Sequence, residues 1–108
     1  MAKFEKTLQG NFSQLLNRIE NGIVEGSISA SLEESSDFVC GNARCSVRVF
    51  ERYSYTGKNR VSLTVTLFSC GAQIHVSAIA SGGSQALFFK VNTLGEEAFL
   101  DKLKEILA

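Results

Sequence analysis

Four side chains able to hold a metal recur at one spacing. Cys40 and Cys45 form C-x4-C, and Cys70 and His75 form C-x4-H. Together they offer the donor set of a Cys3His zinc site. His75 is the only histidine, so imidazole-assisted nucleophilic catalysis would have to run through it. Its expected neighbours across a sheet are Thr66 and Lys90, with no carboxylate to orient the ring and no G-x-S-x-G elbow anywhere in the chain. Ser81-Gly82-Gly83-Ser84 is glycine-rich but lacks the G-K-[ST] ending of a phosphate loop, and it lies between two expected strands. Glu33, Glu34 and Asp37 do not follow calcium-loop spacing. Whether any of these groups converge depends on the elements that carry them.

The chain has 108 residues, 44% of them hydrophobic, with 11 basic and 11 acidic side chains. That length allows one domain, residues 1–108, with one core. The balanced charge excludes a disordered tail and a surface that is basic all over. Residues 1–6 form no apolar leader, and no segment approaches the ~20 apolar residues of a membrane span. The expectation is a cytoplasmic protein with reduced thiols and no membrane contact.

Residues 4–8 alternate as a short edge strand. Asn11 can cap a helix whose stripe is Phe12, Leu15, Leu16, Ile19 and Ile23, with Gly22 as its stop. Residues 28–32 return to strand, residues 33–37 read as an acidic turn or loop, and Gly41-Asn42 marks a break. Strands are expected over about 43–53, 60–69, 72–80 and 85–91, joined by links short enough to require antiparallel neighbours. Thr93 and Glu96 spell a capping box for a C-terminal helix buried through Phe99, Leu100, Leu103, Ile106 and Leu107. The fold class is therefore α+β: an antiparallel meander with an N-terminal and a C-terminal helix packed on one face.

A two-residue turn at Cys70-Gly71 pairs Leu67 with Ile74, and one at Gly82-Gly83 pairs Val76 with Phe89. A loop at residues 56–58, uncertain by two residues, pairs Val49 with Val65. The core face then holds Val47, Val49, Leu63, Val65, Leu67, Ile74, Val76, Leu87, Phe89 and Val91. The open face holds Arg48, Phe50, Arg52, Thr66, Phe68, His75, Phe88 and Lys90, the candidate binding residues. On this register Cys45 and His75 point to opposite faces and Cys70 sits in a turn, so no metal site is expected; with no carboxylate beside His75 and no nucleophile elbow, no enzymatic activity is expected either, and no cofactor. Residues 44–90 carry six basic side chains against one acidic, whereas residues 1–43 carry three against six. A basic, aromatic sheet face suits a homodimer that sets it near acidic flanks such as Glu33, Glu34 and Asp37. Other occupants to weigh are an unknown protein partner or a single-stranded nucleic acid stacked on the phenylalanines.

Residues 35–38, 48–57 and 81–90 (SSDF, RVFERYSYTG and SGGSQALFFK) resemble those of a family of small uncharacterised bacterial proteins, classed as a domain of unknown function. The resemblance implies a bacterial, cytoplasmic setting and carries no catalytic residue or ligand. The order strand, helix, antiparallel strands, helix is also similar to a shortened helix-grip fold, which implies a carrier of a small apolar ligand between sheet and helices.

Overall fold

A computed structural model describes residues 1–54, 59–82 and 89–108, with side chains for residues 1–53, 59–82 and 95–108. The elements are β1 (Ala2–Gln9), α1 (Phe12–Gly26), β2 (Ser31–Cys40), β3 (Ala43–Ser54), β4 (Asn59–Cys70), β5 (Gln73–Gly82) and α2 (Phe89–Leu107). The strands form one antiparallel sheet in the order β1-β5-β4-β3-β2. Both helices lie on one face, giving a single α+β domain. Ile19 and Ile23 of α1 and Phe99 and Leu103 of α2 close over Phe50, Leu63, Val65 and Leu67.

Asn11 caps α1 as expected: its Oδ1 accepts the Gln14 N–H at 2.9 Å. Gly22 does not stop the helix, which runs to Gly26. It is the crossing point of the two helices, because a Cβ at Gly22 would come within 2.6 Å of Ile106 Cδ1. After α1 the chain turns through Ser29 at φ +68°. The Ser29 hydroxyl accepts the Tyr53 N–H at 3.0 Å, tying the turn to the end of β3.

Residues 33–37 are strand, not loop. They belong to β2, an edge strand exposed along nearly its whole length, with a bulge between Leu32 and Glu34. Acidic residues and a bulge are common at free sheet edges, where they discourage stray pairing. At the opposite edge β1 pairs with β5, from Ala2 with Ala80 to Gln9 with Gln73. β1 thus takes the place expected for residues 85–91 as the fourth strand of the meander. Phe89, Lys90 and Val91 instead open α2, and the expected pairings of Val76 with Phe89 and Ile74 with Val91 do not form. Residues 85–88, including Leu87 and Phe88, lie outside the described residues. Thr93 and Glu96 therefore sit inside α2. The buried Glu96 carboxylate accepts the Gly82 N–H at 2.9 Å, fastening α2 to the end of β5.

The β4–β5 turn is Gly71-Ala72, with Gly71 at φ +84°. Glycine stands first, as a type II′ turn requires, so the pairing is shifted by two residues from a turn at Cys70-Gly71. Leu67 faces Val76, Val65 faces Ala78, and the two strands keep their expected faces. The β3–β4 link has the larger effect. Four residues separate Ser54 from its partner Asn59, so Val49 pairs with Thr64 and Phe50 with Leu63. A register change of one residue turns β3 over.

Candidate functional site

Three candidate binding residues thereby move under the helices. Arg48, Phe50 and Arg52 face the core side, and Phe50 is fully buried. Arg44, Arg48 and Arg52 recur every fourth residue along β3, and each meets α1 or its exit turn. Arg44 donates to Ser13 Oγ at 2.8 Å and lies over the Phe12 ring. Arg52 donates to Ser27 Oγ at 3.0 Å and lies 4.7 Å from the Phe99 ring centroid, and burial lowers its pKa. Arg48, the most enclosed, reaches Glu20 Oε1 through Nε at 2.6 Å and Asp37 Oδ1 through Nη2 at 3.1 Å. Burial acts to lower the Arg48 pKa, but its bonds to the two carboxylates outweigh that and raise it. Asp37 is held below the ordinary carboxylate value, first by the Ser46 hydroxyl at 2.6 Å and then by Arg48. These groups clamp α1, β3 and β2 together. The sequence signal was Glu20, a carboxylate one step from Ile19 on the buried stripe, which needs a cation opposite it.

The other sheet face carries no described helix. On it the register sets residues in rows from β2 to β1: Phe38, Cys45, Phe68, His75 and Thr7; then Ser36, Val47, Thr66, Ser77 and Glu5; then Glu34, Val49, Thr64, Ile79 and Lys3. Thr66, Phe68 and His75 thus stand on the open face, as expected of them. Phe68 and His75 stack at 6.3 Å between ring centroids, and His75 Nδ1 shares a 3.0 Å hydrogen bond with Thr7 Oγ1. A shallow depression of about 330 Å3 lies between Thr7, Thr66, Phe68 and His75. Lys90 lies in α2 with its side chain outside the described set, as is all of Phe88.

Residues overlooked on this face are Phe38, Cys45, Val47 and Val49. Phe38 and Val39 stand just before the Gly41-Asn42 turn, which is where a hairpin strand would be sought. Cys45 and His75 share this face, not opposite ones, because the one-residue register change turns β3 over. Even so, no group of three or more His, Cys, Asp or Glu side chains that could hold a metal ion occurs among the described residues. Cys40, Cys45 and Cys70 are free thiols. A cleft of about 310 Å3 opens at one end between sheet and helices, over Leu8, Leu15, Ile74 and Leu107. No described helix is long and apolar enough to cross a membrane.

The chain belongs to a family of unknown function, DUF6054, whose model matches residues 1–108. No curated protein matches it.

Proposed function

We propose that this protein is a non-catalytic, cytoplasmic assembly module of bacterial origin that docks through the open face of its sheet onto a second copy of itself. The observation that carries this reading is the placement of charge. Lys3, Glu5, Glu34, Glu51 and Arg60 all stand at the margins of that face, on the two edge strands or at the far ends of β3 and β4. Its middle is uncharged, formed by Cys45, Val47, Val49, Thr64, Thr66 and Ser77, with Phe68 and Ile79 exposing 42% and 39% of their surface. An uncharged centre inside a charged rim is the usual anatomy of a protein interface. Five strands about 4.8 Å apart, and ten residues rising about 3.3 Å each, give roughly 600 Å2 per copy, near the lower bound for a stable pair.

The other occupants have less support. With Arg48 and Arg52 turned inward, the cations on this face among the described residues are Lys3 and Arg60, each already against a carboxylate at 3.7 and 2.8 Å. A nucleic-acid strand would find aromatic rings without the cations that supply most of its affinity. Among the described residues, the cleft over Leu8 and Leu107 that an apolar-ligand carrier could use is open-ended. Light scattering across a concentration series tests the proposal. The wild-type protein is expected to be a dimer, and Phe68→Glu with Ile79→Glu a folded monomer. A wild-type protein that stays monomeric at high concentration overturns it.

A further inference from the structure

Resting on that reading, we propose that the two copies are related by a two-fold axis running along β4, with Lys3 of each copy paired to Glu34 of the other. β4 is the middle strand, with β5 and β1 on one side and β3 and β2 on the other. Rotation about it lays β1 over the partner's β2 and β5 over the partner's β3, and returns every cross-strand row onto itself. The row containing Glu34, Val49, Thr64, Ile79 and Lys3 becomes self-complementary: Lys3 covers the partner's Glu34, Ile79 covers the partner's Val49, and Thr64 meets its own copy.

One row along, Glu5 covers the hydroxyl of the partner's Ser36, and in the next Phe68 meets the partner's Phe68 on the axis. Glu34 has no cationic partner within its own chain among the described residues; its Oε1 accepts only the Ser35 N–H. Lys3 is held loosely, 3.7 Å from an equally exposed Glu5. Lysine and glutamate side chains together span the ~10 Å between packed sheets. Because the rotation preserves twist, two right-handed sheets nest along their full width. Arg60 also falls on the axis, at one end, where each copy has Glu51 beside it. An axis laid across the strands is less favourable, since it sets Glu51 over the partner's Cys45 and Arg60 over the partner's Cys70.

Two experiments test the axis. The first is cross-linking of reduced protein with bismaleimidoethane. With Cys40→Ser and Cys45→Ser, the remaining Cys70 thiols flank the axis and cross-link into a covalent dimer. With Cys45→Ser and Cys70→Ser, the remaining Cys40 thiols lie about 19 Å apart across the sheet and stay single. The second is a charge exchange read by sedimentation equilibrium. Lys3→Glu and Glu34→Lys each weaken the dimer by about tenfold or more, through like charges set opposite one another twice, and the double variant returns to near wild-type affinity. If the protein dimerises but Cys40 cross-links instead of Cys70, or the double variant stays weak, the axis is wrong while the sheet-face dimer stands. If the wild-type protein never dimerises, the proposed function falls and the axis with it.

Discussion

Removing Glu20 should cost far more than a helix-surface glutamate normally would. Arg48 Nε lies 2.6 Å from its carboxylate, and the Arg48 side chain is only 9% exposed, so the guanidinium has little water to turn to. Breaking a fully buried pair costs about 3–5 kcal/mol. Here Asp37 remains on Nη2, and the Glu20 side chain is 27% exposed, so about 2 kcal/mol is expected for Glu20→Ala. Arg48→Met removes the buried charge and fills most of the same volume, so it should cost only about 1–1.5 kcal/mol. In the Arg48→Met background, Glu20→Ala has no charge to abandon and should add about 0.5 kcal/mol, a coupling of about 1.5 kcal/mol. Urea unfolding of the four proteins at neutral pH gives the cycle directly. A coupling below about 0.5 kcal/mol would mean that the clamp is no stronger than a surface ion pair and that the reasoning is wrong.

Asp37 makes the same clamp sensitive to acid. Its pKa is depressed in the fold, so its contribution is whole above the ordinary carboxylate value and drains as pH falls from there through the folded one. Acid unfolding of Asp37→Asn, followed by circular dichroism, should begin from lower stability and slope less steeply below about pH 4. Gly22→Leu should lose about 2 kcal/mol by driving into Ile106, and Ile106→Ala should recover much of it in thermal melts. Phe50→Asp should abolish folding, since it places a carboxylate in the sealed core, whereas Phe68→Asp should leave the NMR spectrum of a folded protein; unfolding by both would contradict the observed register.

Local sequence decided some elements and could not decide others. Val61, Leu63, Val65 and Leu67 alternate with polar residues, so β4 admits one orientation, and the stripe from Phe12 to Ile23 likewise admits one helix face. β3 offers apolar residues at both parities, Val47 and Val49 on one and Phe50 on the other. Only the number of residues between Ser54 and Asn59 chooses between them. That single residue of loop length carried Arg48, Phe50 and Arg52 from the proposed surface into the interior, and brought Cys45 and the two valines out. β2 escaped notice because an edge strand need bury nothing, and E-E-S-S-D offers no apolar alternation to detect. The start of α2 reads as strand, and the reason it is not is non-local. Phe89-Lys90-Val91 has strand-like composition, but the slot beside β5 was already taken by residues more than seventy positions earlier.

That distant partnership sets a timetable. The strands β2 to β5 find neighbours through successive hairpins, while β1 has no partner until the chain reaches Gln73 and is not fully paired until Ala80. At about 5–20 residues per second, Ala2 waits roughly 4–16 s on the ribosome for the residue it will lie beside. Over most of that interval the sheet floor on which Leu15, Leu16, Ile19 and Ile23 pack is incomplete, and α2 is not yet made. The segment that holds β1 and α1 is thus made before the sheet that secures it, and a nascent-chain chaperone would have most reason to hold that segment.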